Sequence, residues 1–188
     1  NRGDTVARKY LDILTPPDAA PYENGSGRLE MANAIANHDN PLTARVMVNR
    51  VWMHHFGNPL VATPSDFGVR SDAPTHPELL DYLASEFMAS GWSVKHLHRM
   101  IMKSYTYQQD SLAQGAGVAT DPENFLLWRQ NRQRMDFESM RDGVLLASGQ
   151  LDLSLGGESQ AMTTEPFMTR RTLYGRIERQ NLPDLFRT

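Results

Sequence analysis

A chain of 188 residues with 40% hydrophobic content has the size of one ordinary domain and enough apolar side chains for a core. Its net charge of −3 argues against a general electrostatic grip on nucleic acid or on an anionic membrane, and no apolar run reaches the roughly 20 residues of a membrane span. The absence of cysteine excludes disulfides, thiolate nucleophiles, cysteine-ligated zinc and a C-x-x-C-H haem attachment within the chain.

The first 27 residues predict an extended arm. The prolines of Thr15–Pro17 favour extended backbone, and Asn24–Gly27 reads as a turn. Arg28 to Asn37 predicts a short helix, with Leu29 on its apolar side. Because the chain begins with asparagine and its last motif lacks a closing element, we expect a segment of a longer protein. Its helical domain, residues 28–188, is then expected to be truncated at the C-terminus.

The stretch 41–56 predicts the central helix of the fold. Asn40 suits its N-cap and Gly57 the position just past its end. Apolar side chains occur on every face, so we expect the helix to be buried on most sides. Arg45 and Asn49 share one of its stripes and should therefore face a polar seam inside the protein.

The acceptors expected for that seam are Asp66 and the first turn after Thr75. Arg45→Ala is then predicted to destabilise the domain by about 3–5 kcal/mol, as loss of a buried ion-pair partner does, whereas Arg2→Ala should have almost no effect. Asp66 lies in the long loop 58–74, which we expect to be held to the core by Val61, Phe67 and Val69.

Two further helices are predicted at 76–90 and 94–108, joined tightly enough to form a helical hairpin. Thr75 and Glu78 have the spacing of a capping box, and Ser93 is the expected N-cap of the second arm.

The C-terminal third predicts a small-residue linker at Gln114–Thr120 and a helix starting at Asp121. A last helix should begin at the cap Asp136 and end at Gly149, with a buried stripe of Phe137, Met140, Val144 and Ala147 or Ser148. Weak strand patterns follow at 151–155 and 171–177. The predicted fold class is mainly α, a single multi-helix domain with a minor β element near the C-terminus.

Polar side chains on the predicted helices and loop form a candidate polar cluster: Arg45, Asn49, Arg50, His54, Asp66, His76 and His98. No H-E-x-x-H and no i, i+4 histidine pair occurs, so no metal is predicted and structural roles are favoured for the histidines. A composite metal site drawing on His54, Asp66, His76 and His98 is the alternative.

Arginine outnumbers lysine by sixteen to three. A candidate anion-binding set comprises Arg129, Arg132, Arg134, Arg170 and Arg171, because guanidinium groups bind phosphate, sulfate or carboxylate in a bidentate manner. An internal ion-pair network is favoured over it, because acidic residues such as Glu138 and Asp142 lie among these arginines. No nucleophile elbow, kinase, Walker or dinucleotide motif is present, so the catalytic residues, if any, are unknown.

Several motifs occur together in a distinctive order: N-P-L-T-A-R-V-M-V-N-R-V-W-M-H-H-F-G, T-P-S-D-F-G, H-P-E-L-L-D-Y-L-A-S-E-F, G-W-S-V-K-H-L-H-R-M-I, D-P-E-N, R-M-D-F-E-S-M-R-D and N-L-P-D-L-F-R-T. From Gly27 onward the chain resembles the planctomycete-type PSD family, a domain of unknown function. The resemblance implies a large parent protein that is periplasmic or secreted and carries a cytochrome c domain upstream. Haem c is therefore expected elsewhere in the parent, with no cofactor in this segment. The resemblance supplies no catalytic residues.

Three hypotheses follow for function. The first is an accessory module that contacts neighbouring domains of the parent protein through loop 58–74 and the arginine-rich end. The second is an enzyme acting on anionic or sugar-derived substrates, with Arg45, Arg50, His54, Asp66 and His98 around one pocket. The third, DNA binding by the hairpin 76–108, is disfavoured by its acidic first arm, so no nucleic acid partner is expected, and no direct membrane insertion.

Overall fold

The computed structural model describes residues 3–4, 6–178 and 180. Arg2, Arg179 and the N-L-P-D-L-F-R-T motif lie outside the described residues. The described part is mainly helical, as predicted, with six α-helices: α1 Arg28–Ile35, α2 Thr43–Phe56, α3 Pro77–Ala89, α4 Val94–Lys103, α5 Gly117–Thr120 and α6 Phe137–Ala147. Short 3₁₀ helices occupy Asp12–Leu14 and Thr172–Tyr174. The chain divides into an N-terminal unit, residues 1–132, and a C-terminal unit, residues 133–188.

Helix α2 is the centre of the N-terminal unit, as the sequence predicts. The Asn40 side chain accepts from the amides of Leu42 and Thr43, but the helix begins at Thr43 with Leu42 as its N-cap rather than the predicted Asn40. Gly57 ends the helix with a φ of 81°. Val48 and Phe56 are completely buried. Their side chains belong to one apolar core with other residues of α2 and with residues of α3, α4 and the loop after α2: Ala44, Val51, Trp52, Leu60, Val61, Leu80, Leu83, Ala84, Phe87, Leu97 and Ile101.

Helices α3 and α4 form the predicted hairpin. Helix α3 ends in a Schellman motif, in which Trp92 N–H donates to Phe87 C=O at 2.9 Å and Gly91 N–H donates to Met88 C=O at 3.0 Å. The rings of Phe87 and Trp92 pack edge to face at 5.4 Å. Ser93 caps α4 as predicted, accepting from the His96 amide.

The capping box predicted at the start of α3 is not formed. The N-cap is His76 rather than Thr75, and it makes no side-chain cap hydrogen bond. Thr75 instead donates its amide to Leu60 C=O at 2.9 Å, which closes the long loop between α2 and α3. Within that loop Val61 is buried and Phe67 packs on the core, but Val69 is fully exposed, so its predicted anchoring role is wrong.

Two predicted helices differ from the structure. Helix α4 ends at Lys103 rather than near residue 108, because Ser104 adopts an extended conformation. No helix begins at Asp121. The preceding residues form the one-turn α5 instead, where the Trp128 ring lies so close to Gly117 that a Cβ there would be 2.3 Å from it. The segment after Asp121 is irregular because Asn124 and Leu127 have positive φ values of 59° and 55°.

The arm before α1 is connected by hydrogen bonds rather than buried apolar contacts. Tyr22 N–H donates to Arg8 C=O at 2.7 Å, and the Arg8 guanidinium donates to Gly25 C=O at 2.6 Å. Helix α1 contributes no buried residue, and Leu29 on its predicted apolar side is exposed.

The β element predicted near the C-terminus is not seen among the described residues of the C-terminal unit. Its described residues contain two isolated parallel bridges, Asp152 with Arg170 and Gln160 with Gly175, and no continuous strand. Helix α6 has the predicted N-cap, since Asp136 accepts from the Ser139 amide at 2.6 Å, and it ends at a Schellman motif through Gly149. The predicted buried stripe is wrong: α6 buries none of its residues fully.

Candidate functional site

Arg45 lies at the edge of a cleft rather than in a buried seam. Its Nε donates to Asp81 Oδ1 at 2.6 Å and its Nη1 to Pro41 C=O at 2.6 Å. The two charged side chains remain 35% and 56% exposed. The hydrogen bond from Arg45 lowers the pKa of Asp81, and its charge adds to that effect. Asp66 and the first turn after Thr75 are therefore not the acceptors of Arg45.

The cleft beside this ion pair has a volume of about 310 Å³. It lies between the start of α2 and one face of α3, and its polar lining combines both signs of charge: His38, Asp39, Asn40, Arg45, Asp81 and Ser85. Because the guanidinium of Arg45 is already held by a carboxylate and a carbonyl, the cleft lacks a pre-formed anion site at that group.

Asn49 is the buried polar residue of α2. Its side-chain amide donates to Val61 C=O at 3.1 Å, and its oxygen accepts from Val61 N–H at 2.9 Å. Asn49 has no exposed surface. The Asn49 side chain thus satisfies both backbone groups of Val61, which have no other backbone partner among the described residues, and holds the loop after α2 to the core. The role of Asn49 is therefore structural.

The closest contact between titratable side chains of α2 and α4 is a histidine pair. His55 Nε2 lies 2.7 Å from His98 Nδ1, and the Tyr107 ring packs edge to face on His55 with 5.3 Å between ring centroids. Burial lowers the pKa of His55, and the charges of His98 and His54 lower it further. His55 was absent from the predicted cluster, because its partner is 43 residues away in sequence and no local pattern reveals the pairing.

The remaining members of the predicted cluster have other surroundings. Arg50 and His54 are exposed on α2. Asp66 accepts from the Gly68 amide at 2.9 Å within a local turn, and the His76 ring lies 3.0 Å from the Thr75 hydroxyl.

These positions do not favour one shared pocket. Arg45 and His54 are nine residues apart on one helix, so their Cα atoms are separated by about 14 Å along its axis. Direct acid–base work needs groups within hydrogen-bond reach or one water of a common substrate atom. The enzyme hypothesis stays a prediction, but the spacing along α2 gives it no support.

The last backbone carbonyls of α2 accept hydrogen bonds from a segment that is distant in sequence. Asn131 donates to Phe56 C=O at 2.8 Å, and Gln130 lies 3.5 Å from His55 C=O, so carbonyls that lack helical partners receive donors from residues 130–131. Asn124, which is 1% exposed, holds this segment in place by donating to Asn131 Oδ1 and to Arg129 C=O.

Asp121 explains why a helix does not start in this segment. Its two carboxylate oxygens accept from the amides of Phe125 and Leu126 at 2.9 and 2.8 Å, and its carbonyl accepts from Trp128 Nε1. These bonds satisfy the backbone in an irregular conformation and so compete with a helix. The D-P-E-N motif therefore holds the segment whose side chains donate to the last carbonyls of α2. The sequence pattern did not reveal this role.

The predicted anion-binding arginines belong to both units. In the N-terminal unit Arg129 stacks over the Trp128 ring at 5.2 Å and donates to Asn131 Oδ1 at 3.3 Å. Arg132 is exposed in that unit, and Arg134 is exposed in the C-terminal unit.

Arg170 and Arg171 lie in the C-terminal unit, in a polar clamp with Arg141, Asp142 and Thr172. Arg170 is nine-tenths buried, donates to the carbonyls of Ser154 and Gly156, and lies 4.0 Å above the Tyr174 ring. Its Nε is buried without a hydrogen-bond partner among the described residues.

Asp142 is the carboxylate at the centre of the polar clamp. It accepts from Thr172 N–H at 2.7 Å and Thr172 Oγ1 at 2.6 Å, and Arg171 approaches it at 3.6 Å. Arg141 donates to the carbonyls of Met168 and Arg170. Burial acts to raise the pKa of Asp142, but the bonds from Thr172 and the charges of Arg171 and Arg141 together lower it. Arg171, whose side chain is 49% exposed, is thus one of the cations beside Asp142.

Among the residues that the structure describes, no three or more histidine, aspartate or glutamate side chains are grouped so that they could hold a metal ion. Within the same part of the chain, none of the helices combines the length and apolar character needed to cross a membrane.

Comparison with known families decides the classification. The model of PSD1, a protein of unknown function (DUF1553), matches residues 27–188. The chain belongs to the PSD1 family. This confirms the resemblance drawn from the ordered motifs, and the match begins at Gly27, the residue before α1. No curated protein and no solved structure matches the chain. Membership in the PSD1 family leaves the activity to be inferred from geometry.

Proposed function

We propose that this PSD1 chain is an accessory docking module of a larger protein, and that the apolar stripe of α6 is its docking surface. Its exposed members are Met140, Val144 and Ala147, which recur at helical spacing on one side of α6, whereas Phe137 at the start of the stripe is half-buried. The partner we propose is another domain of the same parent polypeptide.

The orientation of α6 carries this proposal. Its charged residues Arg141 and Asp142 enter the polar clamp and are 15% and 20% exposed as side chains. Met140 and Val144, on the other side, are 51% and 64% exposed. A helix on the surface of a globular domain ordinarily does the reverse, with its apolar stripe toward the interior. Apolar side chains left together at a surface are typical of sites that another protein surface covers.

The small area of the stripe favours a binding partner that is covalently linked to the chain as another domain. One helical stripe is small beside the 1,200–2,000 Å² or so of a stable interface between separate proteins. A domain in the same polypeptide has an effective concentration that reaches the millimolar range for short linkers, so a weak patch suffices. The family resemblance, which implies several domains in one parent, supports the same choice.

The wider setting we propose rests on that resemblance: an exported parent, periplasmic or secreted, with haem c in a separate domain. The cysteine-free composition supports placing the haem outside this chain, since thioether attachment needs cysteine. In this setting the PSD1 chain holds its neighbours in position and takes no part in the haem chemistry.

Hydrogen exchange tests the docking proposal. Amides of Phe137–Ala147 should exchange more slowly in the full parent protein than in the 188-residue chain, and Val144→Asp in the parent should abolish the difference. Leu29→Asp is the matched control, because Leu29 is an exposed apolar residue on α1.

Equal exchange of α6 in the parent and in the separate chain would refute docking. Concentration-dependent protection of α6 in the separate chain would identify a second copy as the partner and contradict the proposed tethered domain. Loss of protection in the Leu29→Asp control as well would also contradict a role specific to the stripe.

A further inference from the structure

The histidine pair connects the last turn of α2 to α4. His55 Nε2 and His98 Nδ1 are 2.7 Å apart, and the rings meet at 66° with 4.9 Å between centroids. Such a contact needs one nitrogen with its hydrogen and one nitrogen with a free lone pair. The contact therefore forms when both imidazoles are neutral or when only one of them is protonated. If both were protonated, two N–H groups would point at each other.

The surroundings of the pair oppose a second positive charge. His54 precedes His55 on α2 and contributes repulsion, while Tyr107, from the segment after α4, covers the His55 ring with its own. His54 thus adds a further imidazole beside the pair, and Tyr107 presents a phenol ring to it. The backbone carbonyl of His55 is approached by the Gln130 amide, which is uncharged.

The pair is coupled to the segment that closes α2. Tyr107 packs on Phe56 as well as on His55, with 5.8 Å between the ring centroids of Tyr107 and Phe56. Residues 130–131 donate to the last carbonyls of the same helix. Separation of the two imidazoles would move α4 and Tyr107 away from the end of the core that Phe56 fills.

We propose that the His55–His98 pair is an acid-sensitive contact that keeps residues 104–131 closed over the end of α2, and that opens when both imidazoles are protonated. This device is independent of the docking proposal, because it lies wholly within the N-terminal unit.

The direction of the pH effect follows from linkage. The folded chain holds the pKa of His55 below 6.5, its value in an unfolded chain, mainly through burial. The unfolded state therefore binds more protons than the folded state as the pH falls below 6.5. The free energy that favours the closed state decreases over the pH range between 6.5 and the lowered pKa of His55. Above pH 6.5 the contact contributes in full.

Hydrogen exchange at pH 7.5 and pH 5.0, corrected for intrinsic rates, tests the device in the 188-residue chain. The amides of Gln108 and Gln130, which are hydrogen-bonded within the closing segment, should lose protection at the lower pH, by about tenfold for each pKa unit of the shift. His98→Gln, which cannot be protonated, should reduce that pH dependence and leave the part that comes from burial of His55. His96→Gln, on the same helix, is the matched control and should retain it.

Long-range imidazole NMR spectra of the unmodified chain give a second measurement that needs no variant. Above pH 6.5 we expect opposite roles for the two nitrogens at the contact, one bearing the hydrogen and one the free lone pair, and at pH 5.0 we expect this pairing to be lost. The absence of a paired donor and acceptor at the two nitrogens above pH 6.5, or an undiminished pH dependence in His98→Gln, would overturn the proposal. If His98→Gln does not fold, the tautomers of the two rings in the unmodified chain still decide.

Discussion

The two units of this chain have interiors of different chemistry. The N-terminal unit has an apolar core contributed by α2, α3, α4 and the intervening loop. The C-terminal unit, in its described residues, buries only Met162 and Met168 among its apolar side chains, alongside Arg170 and Thr172. Apolar burial is non-directional and tolerates small shifts, whereas a hydrogen-bonded clamp depends on every partner being present.

The two units should therefore be sensitive to different kinds of substitution. The N-terminal unit should respond to lost volume in its core and the C-terminal unit to lost charge or hydrogen bonds. The two responses are separable, because all three tryptophans, Trp52, Trp92 and Trp128, belong to the N-terminal unit. Tryptophan fluorescence therefore reports on that unit, and circular dichroism reports on both.

The largest expected effect is that of Phe56→Ala. Phe56 is completely buried and stacks on Trp52 with 4.2 Å between ring centroids, so its removal leaves a cavity. The loss should be about 3–5 kcal/mol of unfolding free energy. Urea unfolding followed by tryptophan fluorescence measures it. Phe167→Ala, at an exposed phenylalanine of the C-terminal unit, is the control and should leave that transition unchanged.

The next largest is that of Asn49→Ala. Both backbone groups of Val61 would lose their buried partner, and each unsatisfied group costs about 1–3 kcal/mol. The same fluorescence transition should shift to lower urea. Asn58→Ala, at an exposed asparagine of the same loop, should stay within about 0.5 kcal/mol of the unmodified chain. A shift for Asn58→Ala as large as that for Asn49→Ala would mean that the loop does not depend on the buried amide.

Asp142→Asn should destabilise the C-terminal unit by about 1 kcal/mol at neutral pH, since the amide keeps an acceptor for Thr172 but loses the charge. Because the pKa of Asp142 is lowered below 3.8, this stability is present above that pH and is lost as the pH falls through the lowered value.

Melting of the two proteins by circular dichroism should therefore converge at low pH, while the tryptophan transition stays the same in both. Glu158→Gln, at an exposed carboxylate of the same unit, is the control. A constant difference down to pH 2 would contradict a charge-dependent role for Asp142.

The smallest effect is that of Arg45→Ala. The exposure of Arg45 and Asp81 corrects the expectation of a buried guanidinium, so the loss should be about 0–1 kcal/mol rather than a collapse of the fold. Added salt should reduce the loss further. A loss of more than about 2 kcal/mol of unfolding free energy, followed by tryptophan fluorescence, would contradict this expectation. It would show that the hydrogen bond from Arg45 Nη1 to Pro41 C=O is needed to stabilise the start of α2.

Local signals predicted much of the helical framework. The capping residues Ser93 and Asp136 and the terminating glycine Gly57 act as their types do elsewhere, because caps depend on groups within one turn. The family also followed from the order of motifs alone. The candidate site was less predictable: Arg45 and His98 were named, but their partners Asp81 and His55 were not.

By itself the sequence determined the mainly α class, the central position of α2 and the ends of most helices, because periodicity and capping act over a few residues. Only the tertiary structure decided which polar groups meet. The pairing of His55 with His98, the closure of α2 by Asn131 and the burial of charge rather than apolar surface by α6 each join residues 27 to 75 positions apart. Such long-range partners leave no local pattern, since each depends on how the packed elements bring distant side chains together.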